Sequence, residues 1–244
     1  MVDVILIHGL SGSTKDMDYV AGRIGVSGYG VFNIALPGHG TVPEALLSVT
    51  MQDWIDAVES RVSACPDGVF IIGQSMGALL AINSAVKHPG KVRGIVLLAP
   101  AIKLYGAFNR FFMYLIYAYS RVLPLPHIYY VKNTGPDISD PDVKKSYAAY
   151  NRIPLNGLSE FERLRKMVLG QLGMVSSPVL IVYSTHDHTI SGDAAEIIDS
   201  RIGSTIKQIR TLDESFHVIS VDRNKETVAD TAIEFLKYID AGVK

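Results

Sequence analysis

The chain has 244 residues, 48% of them hydrophobic and 19% charged, with a formal net charge of −1. These values are normal for a globular protein and fit one domain with an insertion at least as well as two domains. The balanced charge, without a basic run or stripe, excludes a nucleic-acid partner, and the single cysteine, Cys65, excludes an intramolecular disulfide.

Taken in chain order, Val4-Ile5-Leu6-Ile7 predicts a first strand, followed by the glycine-rich loop His8-Gly9-Leu10-Ser11-Gly12 and a helix over about 15–26. A second strand is predicted at 31–35. Thr50-Met51-Gln52-Asp53 opens a helix over 50–64 as a capping box, in which hydroxyl and carboxylate satisfy each other's backbone N–H. Strands at 69–72 and 95–98 bracket a helix over 76–88. The alternation resumes with strands at 179–182 and 206–209 and helices over 192–201 and 223–240. The strand runs are mostly continuously apolar, as burial on both faces of a parallel sheet requires. Alternation with helices predicts a doubly wound α/β fold.

The pattern breaks over residues 103–170, which contain no strand-like run. Here lie the aromatic run Phe111–Tyr119 between Arg110 and Arg121, the breaks Pro124-Leu125-Pro126 and Asn133-Thr134-Gly135-Pro136, and a helix from Ser159 to Leu169. The aromatic run is far shorter than the roughly 20 residues of a spanning helix, and its tyrosine hydroxyls require polar partners, so a transmembrane reading is rejected. The stretch is too long for a loop. It is read as a helical insertion in a core formed by 1–102 and 171–244. Without a basic, apolar leader after Met1 and with one cysteine, the expected location is the cytoplasm.

The chemistry centres on Gly73-Gln74-Ser75-Met76-Gly77, with an apolar strand directly before it and a helix directly after it. Strand–turn–helix is the setting of a nucleophile elbow, where a tight turn holds a serine hydroxyl at the carboxyl edge of a sheet. Side chains at 73 and 77 would collide with backbone, hence glycine at both. A serine needs a base, and His217 follows the last predicted strand; the base needs an orienting acid, and Asp187 follows the strand before. Parallel strands bring all three to one edge. The order Ser75, Asp187, His217 is that expected for this fold. Asp193 and Asp213 are rival acids. His186 and His188 flank Asp187 without a third spaced ligand, so no metal is assigned. His39 is expected to shape its loop and His88 to end a helix. The expected oxyanion donors are the backbone N–H groups of Met76 and Leu10, with Gly9 allowing close approach to the substrate.

His8-Gly9, Pro37-Gly38-His39-Gly40, Asp53-Trp54, the elbow and the Asp187 and His217 loops together resemble the α/β-hydrolase superfamily. Within it the chain is similar to bacterial and archaeal carboxylesterases and monoacylglycerol lipases. The resemblance implies hydrolysis of carboxylic esters through an acyl-enzyme, without a cofactor. It also implies a small cap between the fourth strand and the Asp187 strand, where 103–170 falls. Family members usually carry two antiparallel strands before the His-Gly strand; this chain starts at that strand, so a trimmed sheet of about six parallel strands is expected. Phe108, Phe112 and Tyr114 are expected either to line an acyl pocket for lipid-like or aryl esters of short to medium chain or to pack the cap onto the core, and an exposed patch of the cap to allow a homodimer or contact with a membrane surface. Thioesterase, C–C hydrolase or acyltransferase chemistry would use the same triad.

Overall fold

The computed structural model describes residues 2–125, 127–131 and 134–242; the predicted breaks at Pro126 and Asn133 lie outside them. The strands are β1 (Asp3–Ile7), β2 (Gly30–Ile34), β3 (Val69–Gln74), β4 (Val92–Leu98), β5 (Tyr129–Val131), β6 (Arg152–Pro154), β7 (Val179–Ser184) and β8 (Lys207–Leu212). The helices are α1 (Asp18–Val26), α2 (Met51–Ala64), α3 (Met76–Lys87), α4 (Ala107–Ser120), α5 (Pro141–Ser146), α6 (Leu155–Gln171), α7 (Ala194–Arg201) and α8 (Lys225–Asp240).

Six strands form one parallel sheet in the order β2-β1-β3-β4-β7-β8. Helices α1 and α8 pack together, as do α2, α3 and α6, so the sheet is doubly wound. Val4 to Ile7 of β1 and Val69 to Ile72 of β3 are fully buried, which explains their unbroken apolar sequence. The chain leaves β1 toward β2 and returns on the other side to β3. Parallel sheets open a crevice at the carboxyl ends of the strands where such a reversal occurs. Here that place receives His8-Gly9 from β1 and Gln74-Ser75 from β3.

Helix α2 begins as its sequence predicts: the Asp53 N–H donates to Thr50 Oγ1 at 3.3 Å, and the Thr50 N–H donates to Asp53 Oδ2 at 2.8 Å. Two expectations for the insertion need correction. First, it does contain strands: β5 and β6 pair as an antiparallel ribbon. Each is three residues long, too short to show in the pattern of the sequence. Second, the predicted helix at Ser159 starts at Leu155 and belongs to the core packing as much as to the insertion. It buries Leu158, Phe161, Leu164 and Val168 and packs on α3.

Candidate active site

The turn between β3 and α3 is as tight as its sequence demands. Ser75 has φ 56° and ψ −110°, a backbone conformation that costs energy for any residue with a side chain. A Cβ on Gly73 would lie 2.2 Å from the Gly77 carbonyl oxygen, and one on Gly77 would lie 2.2 Å from that of Ile7. Neither position tolerates a side chain without moving backbone. The Ser75 N–H donates to the Leu98 carbonyl at 2.8 Å, tying the turn to the end of β4.

His217, in the loop after β8, meets this serine. The Ser75 hydroxyl donates to His217 Nε2 at 2.9 Å, and His217 Nδ1–H donates to Asp187 Oδ2 at 2.7 Å. The other oxygen of Asp187 accepts the N–H groups of Thr189 and Ile190, at 2.7 and 2.8 Å. Those two bonds aim the carboxylate at the imidazole, and both side chains are almost fully buried. Of the rival acids, Asp193 pairs with Lys103 and Asp213 is exposed.

The loop after β1 closes the other side. A Cβ on Gly9 would stand 3.2 Å from Ser75 Cβ and 3.7 Å from Ser75 Oγ, so glycine lets this backbone come against the serine. Leu10 lines the cavity beside Ser75. Met76 is the first residue of α3, where a helix N–H has no partner within the helix. His8 is buried at the start of this loop. Its Nδ1–H donates to the Gly9 carbonyl at 2.9 Å and its Nε2 accepts the Leu36 N–H at 3.2 Å, so both ring nitrogens are occupied and burial lowers its pKa. His39 shapes its loop, donating from Nδ1 to the Pro37 carbonyl at 2.9 Å; burial, and then the neighbouring His8, push its pKa down to about 4. His88 ends α3 against Glu59 at 2.5 Å.

A cavity of about 90 Å³ opens beside Ser75 and His217. Its outer wall is Gly135, Pro136, Tyr147, Ala149, Tyr150 and Asn151 of the insertion. Phe108, Phe112 and Tyr114, expected either at an acyl pocket or in cap packing, are not among the residues that line this cavity. Phe108 and Tyr114 are 78% and 54% exposed on the outer face of α4, whose inner face buries Met113 and Ile116. Phe112 packs between the Phe108 and Tyr130 rings, with centroids 6.5 and 5.9 Å away.

Three contributors escape sequence reasoning. Gln74 Nε2–H donates to the His217 carbonyl at 3.0 Å, holding the His217 loop from within the elbow motif itself. Asp16, only 3% exposed, lines the cavity and accepts the Tyr147 hydroxyl at 2.8 Å; burial pushes its pKa up to about 6. Tyr150 spans to the Gly38 carbonyl, its hydroxyl donating at 3.3 Å and accepting the Thr41 N–H at 2.8 Å. Gln74 could have been found as the neighbour of the nucleophile. The partners of Asp16 and Tyr150 are more than 100 residues away in sequence, and no local signal marks them.

Among the described residues, no cluster of three or more His, Cys, Asp or Glu is placed to hold a metal ion, and no helix is long and apolar enough to cross a membrane.

The fold and this edge of the sheet define a serine hydrolase of the α/β-hydrolase class. The chain belongs to the family described as serine aminopeptidase, S33, which matches residues 2–224. It is 31% identical to a thermostable monoacylglycerol lipase of Bacillus sp. (strain H-257), over 96% of this chain and 90% of that protein. It is 26% identical to a carboxylesterase of Bacillus subtilis (strain 168), over 97% and 93%. A solved structure from work on LipS and LipT, two metagenome-derived lipolytic enzymes, superposes with a TM-score of 0.84 at 27% identity, covering 97% of this chain and 93% of the other. A monoacylglycerol lipase from Paleococcus ferrophilus shares the fold, with a TM-score of 0.83 at 18% identity over 97% and 94%. The chain is a carboxylic ester hydrolase.

Proposed function

We propose that Ser75 is the nucleophile, His217 the general base and acid, and Asp187 the residue that orients and stabilises the imidazolium. The observation that carries this reading is the chain of hydrogen bonds Ser75–His217–Asp187, at 2.9 and 2.7 Å, beside a cavity. Ser75 Oγ attacks the ester carbonyl carbon as its proton passes to His217 Nε2. The backbone N–H groups of Leu10 and Met76 hold the oxyanion. His217 returns the proton to the leaving oxygen, the C–O bond breaks, and the alcohol departs from the acyl-enzyme. Water, giving its proton to His217, attacks the acyl carbon; collapse releases the acid and regenerates Ser75.

The substrate we infer is a neutral ester of short to medium acyl chain, including short monoacylglycerols. Residues 103–170 act as a cap over Ser75, and the wall they contribute includes the Asn151 amide and the hydroxyl oxygens of Tyr147 and Tyr150, whose remaining lone pairs suit a polar alcohol. A cavity of about 90 Å³ beside Ser75 suits an acyl group of modest size. The names of the Bacillus relatives support both substrate types. Rates on p-nitrophenyl esters from acetate to palmitate, and on monoacylglycerols, test it. The expected result is a maximum at butyrate to octanoate; rates rising to palmitate overturn it. A phosphonate ester is expected to label Ser75, and Ser75→Ala to abolish hydrolysis.

The exposed aromatic face of α4, with Phe108, Phe111 and Tyr114, supports a homodimer formed through the cap, which light scattering tests: Phe108→Ser is expected to give monomer. The unpaired thiol Cys65 supports a reducing, cytoplasmic location, which fractionation of the source cells tests.

A further inference from the structure

The loops that carry the acid and the base come from different strands, β7 and β8, and Asp137 of the insertion is bonded to both. Its carboxylate Oδ2 accepts the His188 N–H at 3.0 Å and the Thr189 hydroxyl at 3.0 Å, and Oδ1 faces His188 Nδ1 at 3.0 Å. Its carbonyl accepts the N–H groups of His217 at 3.0 Å and Val218 at 3.2 Å. Consecutive amides of the acid loop are thus shared between two carboxylates. The His188 N–H goes to Asp137, and those of Thr189 and Ile190 go to Asp187. Asp222, buried on the far side of the same segment, repeats the pattern for the base loop, beginning two residues after Asp137 at Ser139. Its carboxylate accepts the Ser139 N–H at 2.8 Å, the Asp140 N–H at 3.0 Å and the Phe216 N–H at 2.8 Å. Residues 137–140 are therefore tied to the neighbours of the acid on one side and to the base itself on the other.

We propose that Asp137 is a positioning residue for the ester hydrolysis: it sets the spacing between the Asp187 loop and the His217 loop, and so couples the seating of the insertion to the alignment of the base with Ser75. The physical reason is geometric. Proton transfer needs the imidazole held between Ser75 Oγ and Asp187 within a fraction of an ångström, and loops on separate strands do not supply that precision by themselves. Gln74 fixes the His217 carbonyl from below. Asp137 fixes its N–H from above and is the one of the two that also grips the acid loop. Asp137 touches none of the reacting atoms; it acts through the backbone N–H groups of residues 188, 217 and 218 and the side-chain hydroxyl of Thr189. Its side chain is only 11% exposed, so water does not replace these bonds freely.

The inference rests on the triad reading given above, and the experiment separates the two. Steady-state hydrolysis of p-nitrophenyl butyrate and the rate of labelling by a small phosphonate are measured for wild type, Ser75→Ala, Asp137→Ala, Asp137→Asn and Thr189→Val. Asp137→Ala is expected to lower kcat about 10–100-fold with KM within about twofold, and to slow labelling by a similar factor, as displacement of a catalytic group by under an ångström does. Asp137→Asn keeps an oxygen for the His188 N–H and the Thr189 hydroxyl, and is expected to restore kcat to within about threefold of wild type. A residue that only anchored the insertion would raise KM and leave kcat and labelling intact; that result overturns the proposal, as does wild-type kinetics in Asp137→Ala. Should Asp137→Ala fail to fold, Thr189→Val, which removes a single bond to the same carboxylate, decides: a lowered kcat with unchanged KM supports the proposal, and an unchanged kcat overturns it. Ser75→Ala with wild-type activity refutes the triad reading itself, and this inference with it.

Discussion

Gly77 lies so close under Ile7 that a Cβ there would stand 2.2 Å from the Ile7 carbonyl oxygen and 2.8 Å from that of His8. The first turn of α3 is thereby pressed against the end of β1, which brings the Gly9 loop to Ser75. Both obstructing atoms belong to backbone, so no rotamer change relieves the clash. Gly77→Ala is expected to destabilise the fold by about 3 kcal/mol or more, at the upper end of overpacking, and to abolish phosphonate labelling of whatever remains folded. Urea unfolding and labelling of the same preparation check this. A variant with wild-type midpoint and labelling would show that the two elements are free to separate.

Asp187→Asn removes the charge and leaves the shape. The amide can still accept the Thr189 and Ile190 N–H groups, but it can present N–H instead of oxygen to His217 Nδ1. That favours the tautomer in which Nε2 carries the proton and cannot take one from Ser75. The expected loss in kcat is about 10³–10⁴-fold with little change in KM. A loss below tenfold would indicate that another carboxylate orients the base.

Asp16 stores a dependence on pH. Its carboxyl titrates near 6 in the fold and at the ordinary value of 3.8 when unfolded, because burial disfavours its charged form. Between pH 4 and 6 the native state binds more protons than the unfolded state, so this group's contribution to stability falls as pH rises and the cost is complete above about pH 6. Two units correspond to about 3 kcal/mol. Asp16→Asn is expected to raise the urea midpoint at pH 8 and to leave it nearly unchanged at pH 4. An equal shift at both values would exclude ionisation as the cause.

His39 has the opposite sign. It stays neutral in the fold down to a pKa of about 4, against 6.5 unfolded. Between those values the unfolded state binds more protons, so the contribution is present above pH 6.5 and is lost, by about 3 kcal/mol, as pH falls toward 4. His39→Asn, which keeps a donor for the Pro37 carbonyl, is expected to lose less stability than wild type between pH 7 and pH 4.5. Parallel losses would mean that His39 is already charged in the native state.

The sequence by itself determined the sheet and the edge on which chemistry happens. Val4–Ile7, Val69–Ile72 and Val179–Val182 are apolar without interruption because both faces are covered, a local requirement visible in each run. Gly73 and Gly77 announce the elbow because the turn excludes a Cβ, again within five residues. Thr50 and Asp53 mark a helix start for the same short-range reason. Asp187 and His217 could be placed at the edge shared with Ser75 because parallel strands must end there together.

Only the tertiary structure decided what surrounds that edge. The apolar surface of Phe108 and Tyr114 suggested a pocket, yet these side chains face outward: a helix rich in aromatics on every side leaves its orientation to packing, and Met113 and Ile116 took the inner face. The cavity wall came instead from Tyr147, Tyr150 and Asn151, in a segment without periodicity. Asp16 with Tyr147, and Asp137 with the loops of Asp187 and His217, are polar pairs formed across 51 to 131 residues of chain. A hydrogen bond leaves no periodicity in the sequence. Its partners are chosen by where the folded backbone brings them, which is why the elbow around Ser75 was legible from five residues and the side chains that support it were not.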